Sequence, residues 1–80
     1  MSVLIHEPVA VVAVFKNGRI TPAKFLWHGR DIYIDKVGLC WKTNHGEINI
    51  WHFSVMAGKT LYELTFDASG LSWKLEKTEG

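Results

Sequence analysis

The chain has 80 residues, a formal charge of +1 and 48% hydrophobic residues. That length confines it to one domain, residues 1–80, with a small core that buries only about 60–65% of the unfolded surface. Cys40 is the sole cysteine, which excludes an internal disulfide and points to a reducing compartment. The N-terminus lacks the basic, apolar and small-residue order of a secretory leader, and the apolar run Val9–Phe15 is too short to span a bilayer as a helix. The expectation is a soluble cytoplasmic protein with no membrane association. Charge is uneven: residues 1–15 carry −1, residues 16–42 carry +4 and residues 43–80 carry −2. A basic middle is an electrostatic lead, though a solvated face is its commoner meaning.

Turn signals at Asn17-Gly18, His28-Gly29, Asn44-His45-Gly46, Ala57-Gly58 and Ser69-Gly70 separate runs rich in Val, Ile, Phe, Tyr and Trp. No window sustains helical periodicity, so the pattern reads as strands joined by hairpins. The first strand is expected at about Val9–Lys16. Asn17-Gly18 suits a type I′ turn, whose two central residues need positive φ. It leads into a second strand at about Arg19–Trp27 and sets Phe15 opposite Ile20 and Lys16 opposite Arg19. Pro22 cannot donate to a ladder, so a bulge is expected near Thr21-Pro22, which lets Ile20 share a face with Ala23, Phe25 and Trp27.

His28-Gly29 as a two-residue turn sets Trp27 opposite Arg30, Phe25 opposite Ile32 and Ala23 opposite Ile34. Lys24, Asp31 and Tyr33 then occupy the other face. The third strand is expected from about Arg30 to Lys42. Its apolar parity shifts from Ile32 and Ile34 to Val37, Leu39 and Trp41, which requires a bulge or bend near Asp35–Gly38.

A four-residue loop at Thr43–Gly46 pairs Lys42 with Glu47, Trp41 with Ile48 and Leu39 with Ile50. The fourth strand shifts parity too, from Ile48 and Ile50 to Trp51, Phe53 and Val55. The loop at Ala57–Thr60 pairs Val55 with Tyr62, Phe53 with Leu64 and Trp51 with Phe66. The last turn, Asp67–Gly70, pairs Phe66 with Leu71, Leu64 with Trp73, Tyr62 with Leu75 and Glu63 with Lys74. The expected fold is all-β: a six-stranded antiparallel meander curled into a small barrel or roll.

Phe25, Trp27, Gly29, Arg30, Tyr33, Trp41, Tyr62-Glu63-Leu64 and Trp73-Lys74-Leu75 resemble a family of small bacterial β domains of unknown function. The resemblance covers roughly residues 22–75. Similar segments end polymerase-like accessory proteins of mutagenic DNA repair, so the resemblance implies a role around DNA. It brings no catalytic residue. This chain departs from that pattern in its long apolar first strand and its less basic composition.

Candidate chemistry is sparse. His6, His28, His45 and His52 lack the close ligand pairs of a zinc site. Cys40 with His52 would need an electropositive setting to act as a nucleophile, and a structural thiol is the simpler reading. Asp31 and Asp35 are carboxylates near turns, where such residues are ordinary. Gly58-Lys59-Thr60 ends like a phosphate loop but lacks the upstream glycine and the following helix. No catalytic, cofactor or metal-binding residue is assigned, and no cofactor is expected.

The remaining lead is Trp27 beside Arg30, where a guanidinium can stack on indole for roughly 0.5–2 kcal/mol. Small barrels bind single strands through basic grooves and stacking aromatics. The reading is therefore a non-enzymatic binding or accessory module linked to DNA repair through weak nucleic-acid or protein binding. Its binding residues are Lys16, Arg19, Lys24, Trp27 and Arg30, and its expected ligand is a single-stranded nucleic acid or a protein partner. The alternative is a structural interaction domain that homodimerises through its apolar first strand.

Overall fold

A computed structural model describes residues 2–80; residue 1, which the expected domain includes, lies outside the described residues. Strands take up 81% of the described residues, with no helix among them, in agreement with the all-β reading. They are β1 (Ser2–Lys16), β2 (Arg19–Trp27), β3 (Arg30–Tyr33), β4 (Lys36–His45), β5 (Ile48–Ala57), β6 (Thr60–Asp67) and β7 (Ser72–Glu79). All pair antiparallel in the order β3-β2-β1-β7-β6-β5-β4, curled into a half-barrel.

The count is seven rather than six because the expected third strand breaks at Ile34-Asp35 and changes partners there. The Ile34 N–H donates to Ala23 O on β2 at 2.9 Å, and the Asp35 N–H donates to Met56 O on β5 at 2.8 Å. The Asp35 carboxylate also accepts the Gly58 N–H at 2.6 Å. The two end strands of the sheet are thus one stretch of chain, pinned at its corner.

The first strand starts at Ser2, not Val9. Its early half pairs with β7, from Ser2↔Glu79 to Val9↔Trp73, and its later half with β2, from Ala10↔Leu26 to Lys16↔Arg19. His6-Glu7-Pro8 concealed the early half, because a bulge with His6 at φ 52° interrupts its alternation.

Both expected two-residue turns form, the type I′ turn at Asn17-Gly18 with φ of 52° and 74° and the turn at His28-Gly29 with φ of 51° and 74°. The register they set holds: Lys16 faces Arg19, Phe15 faces Ile20, Phe25 faces Ile32 and Trp27 faces Arg30. The β2 bulge sits one residue later than expected. Ala13 faces Pro22 and Val12 faces Lys24, so Ala23 is the extra residue and is exposed, while Pro22 joins the core face. The bulge at Gly38 falls where expected, between Val37↔Val55 and Leu39↔Ser54.

Two registers differ from expectation. β4 and β5 turn at Gly46-Glu47, which pairs His45 with Ile48, Lys42 with Trp51 and Trp41 with His52. Gly46 at φ 66° takes the first turn position, so a two-residue hairpin displaces the longer loop. Leu39 and Trp41 therefore lie on the outer face beside Ser54 and His52. β5 pairs with β6 without interruption, so Ile48 and Ile50 stay on the outer face and the expected parity shift does not occur.

The β5–β6 pairings are as expected: Val55↔Tyr62, Phe53↔Leu64 and Trp51↔Phe66. β6 and β7 are offset by two residues from expectation, with Phe66↔Trp73 and Leu64↔Leu75. Glu63 accordingly faces Lys77, and Lys74 faces Thr65. Here Leu71 adopts φ 51° and lengthens the turn, while the Asp67 carboxylate accepts the Ser69 N–H at 2.9 Å. These bonds, led by the Ser69 hydroxyl and joined by the nearby Lys74 charge, hold the Asp67 carboxyl below its ordinary pKa. The core is Phe25, Phe53, Val55, Leu64, Phe66, Trp73 and Leu75. Trp73 packs 5.5 Å from Phe53 and 4.8 Å from Phe66, as offset ring contacts require.

Candidate functional site

The five residues expected to bind divide between two faces. Directly opposed residues in an antiparallel pair point to the same side, and neighbours along a strand alternate. Lys16 and Arg19 face each other at the tip of the first hairpin, on the outer face with Lys24. Trp27 and Arg30 face each other at the other end of β2, on the side of Phe25 and Ile32. Eight residue steps along β2 separate the two tips by about 26 Å.

Trp27 does not stack on Arg30. Its ring lies on His28 at 4.4 Å and meets the Tyr62 edge at 6.4 Å. Its indole N–H is buried without an acceptor. The aromatic that faces outward here is Tyr33, with the Lys24 ammonium 5.4 Å from its ring centre and 3.8 Å from the Asp31 carboxylate. Sequence alternation placed Lys24, Asp31 and Tyr33 together correctly, but the π-contact passed to lysine because Arg30 points the other way.

The outer face of β1–β3 carries an apolar strip among these charged residues. Val12 and Val14 are each 54% exposed, with Leu26 and Tyr33 exposed beside them. Phe15, on the inner parity, is 60% exposed at the strand end and touches Phe66 edge-on at 5.8 Å.

The outer face of β4–β7 exposes Leu39, Trp41 and Ile48 and holds a mostly polar cleft of about 290 Å³. Here His52 Nε2 is 2.8 Å from Thr43 Oγ1, and its ring stacks on Trp41 at 5.0 Å and 7°. Its Nδ1 is buried without a partner. Thr65, only 6% exposed, donates to Glu76 Oε2 at 2.8 Å, and His6 Nδ1 lies 2.6 Å from Glu76 Oε1. Burial pushes the Glu76 carboxyl up, but the hydrogen bonds from His6 and Thr65, with the positive charge of His6 and Lys74, outweigh it and leave the carboxyl below its ordinary value. Sequence spacing could not reveal this cleft, because its residues come from β4, β5, β6 and β7 and meet only across the ladder.

His52 and Thr43 have the reach of a base–hydroxyl dyad, but no acid orients the imidazole from its other nitrogen. Cys40 and His52 project from opposite faces of the sheet, since Cys40 faces Phe53 and Trp41 faces His52. The Cys40 thiol is exposed, and partial desolvation raises its pKa, the reverse of what activates a thiolate. Among the described residues no group of three or more His, Cys, Asp or Glu side chains converges as a metal site would require. No family model, curated protein or solved structure matches this chain.

Proposed function

We propose that the chain is a non-enzymatic interaction module that pairs with a second copy of itself through β1. The observation that carries this reading is the solvent exposure of Val12, Val14 and Phe15, in a stretch of seven residues, Val9–Phe15, with no charge. A strand of that composition is a template for association unless something covers it. A net charge of +1 opposes self-association very little.

The nucleic-acid reading is weaker on geometry. Lys16, Arg19 and Lys24 share one face, while Trp27 and Arg30 lie on the other, with the Trp27 ring covered by His28. Sedimentation equilibrium at micromolar concentration tests the proposal: a dimer is expected, and Val12→Lys should return it to a folded monomer. A parent chain that stays monomeric and binds a labelled single-stranded oligonucleotide at low salt, with loss in a Lys16→Glu/Arg19→Glu variant, would replace this reading with the nucleic-acid one.

A further inference from the structure

The Asn17-Gly18 hairpin determines which backbone groups of β1 point where. In a two-residue hairpin the flanking residues exchange both of their hydrogen bonds, so Lys16 directs its N–H and C=O toward Arg19. Alternation along β1 then aims Val14, Val12 and Ala10 toward β2, and Phe15, Ala13 and Val11 away from it. Pro22 agrees with this, since it lacks an N–H and lies opposite Ala13, whose groups point elsewhere. On the far side β7 ends its pairing at Val9↔Trp73. Among the described residues no other backbone partner reaches residues 10–16 on that side. The N–H and C=O groups of Val11, Ala13 and Phe15 therefore form a free edge on a strand that the rest of the sheet has left behind.

We propose that two copies join β1 to β1, edge to edge and antiparallel, about a two-fold axis through Ala13. This rests on the homodimer reading above and specifies its geometry. The register is the one that uses every free group. Ala13 pairs with Ala13 of the second copy, and Val11 pairs with Phe15 at both ends. Centring one residue earlier, on Val12, would ask Val9 to bond Phe15, but Val9 is already held by Trp73. Centring one residue later would set Val11 opposite Asn17, which belongs to the turn and has φ 52°.

Side chains agree with the backbone. On the outer face Val12 meets Val14 of the second copy, so the two exposed valines cover each other. On the inner face Phe15 of the second copy arrives opposite Val11. A cavity of about 500 Å³ opens there, walled in part by Val11, Phe66, Leu71 and Trp73. Leu71, 78% exposed at the cavity rim, is positioned to close over that ring. The two lysines lie at opposite ends of the seam, each beside the start of β7 at Ser72, so no like charges oppose each other. The product is one continuous sheet across both copies, a common outcome for an apolar edge without a charge, proline or further bulge to block it.

The test is amide hydrogen exchange, residue by residue, on the parent chain at concentrations above and below its dissociation midpoint. Edge pairing predicts that the amides of Val11, Ala13 and Phe15 are slowed only in the dimer. The variant Ala13→Pro removes one seam donor but no bond to β2, so it should abolish the dimer while the dispersed amide spectrum of the fold persists. A dimer whose Val11, Ala13 and Phe15 amides exchange as fast as in the monomer, and which Val12→Lys breaks, would overturn the edge geometry and leave the homodimer reading standing. A chain that remains monomeric to millimolar concentration would overturn both. If Ala13→Pro does not fold, the exchange pattern of the parent chain decides alone.

Discussion

The two ends of the sheet are built to different standards. β5, β6 and β7 supply Phe53, Val55, Leu64, Phe66, Trp73 and Leu75, all buried, whereas among the described residues β1, β2 and β3 bury only Phe25 and Pro22. β1 is the longest strand, at 15 residues, and contributes no fully buried side chain. The central meander can close its core because each strand has neighbours along its whole length. β1 shares its length between two partners, β7 early and β2 late, so each half keeps one edge free. Apolar composition without full burial is what a surface awaiting a partner looks like, and here it coincides with the strand whose backbone is half unpaired.

The sharpest way to break this contrast is to truncate one side chain at each end. Leu64→Ala removes a side chain with no exposed surface from β6 and should cost about 2–5 kcal/mol of unfolding free energy. Val11→Ala, half-buried in β1, should cost only about 1 kcal/mol in the monomer. Chemical denaturation of both variants at a concentration where the chain is monomeric checks the ratio. Equal losses would show that β1 is as integral to the core as β6.

A smaller effect concerns the polar outer face of β6 and β7. Thr65→Val deletes the hydroxyl that bonds Glu76 in a buried position and should cost about 1 kcal/mol. Glu76 also links this region to pH. Its folded carboxyl titrates below its unfolded value of about 4.3, so the native state holds fewer protons and is favoured by ionisation. That contribution is complete above the unfolded value and is lost as pH falls through the folded one. Denaturation midpoints measured from pH 6 down to pH 3 should therefore decline. In Glu76→Gln the decline should be shallower, with the part due to Asp67 remaining. An identical acid limb in parent and variant would detach Glu76 from stability.

The smallest expected effect lies on the outer face of β2. Lys24 contacts both Asp31 and the Tyr33 ring at the surface, and Lys24→Ala should change stability by about 0–1 kcal/mol. Thermal melts of the two chains side by side provide the measurement. A loss well above that range would mean that the apolar strip around Lys24 is held by its alkyl stem rather than by packing of its own.

Short-range chemistry was legible in the residues. Asn17-Gly18 and His28-Gly29 specified their turns because only residues that tolerate positive φ fit a two-residue hairpin, and the registers of β1–β2 and β2–β3 followed from them. The bulge at Gly38 falls within the expected span, but it parts Val37 from Leu39 and Trp41, which the alternation had grouped on one face. Where several turn formers adjoin, the competition is settled elsewhere. Asn44-His45-Gly46 offers several loops, and the choice of Gly46-Glu47 moved Trp41 from Ile48 to His52. Likewise Leu71 in the left-handed region, which an unaided leucine disfavours, is a conformation that the Phe66–Trp73 pairing imposes on the turn.

The candidate binding residues show the same division. That Lys24, Asp31 and Tyr33 share a face is a matter of alternation along two strands joined by a tight turn, and the sequence by itself determined it. That Lys16 and Arg19 join Lys24 on the face away from Trp27 and Arg30 depends on the bulge at Ala23, which flips parity midway along β2. The cleft around His52 and the free edge at Val11, Ala13 and Phe15 were decided only by tertiary structure. Each depends on where a distant strand begins or ends: β7 must start at Ser72 for β1 to outrun it, and β4 must slide to Gly46 for Thr43 to reach His52. Local residues choose turns by φ and faces by period, whereas the length over which two strands stay paired is settled by the curl of the whole sheet.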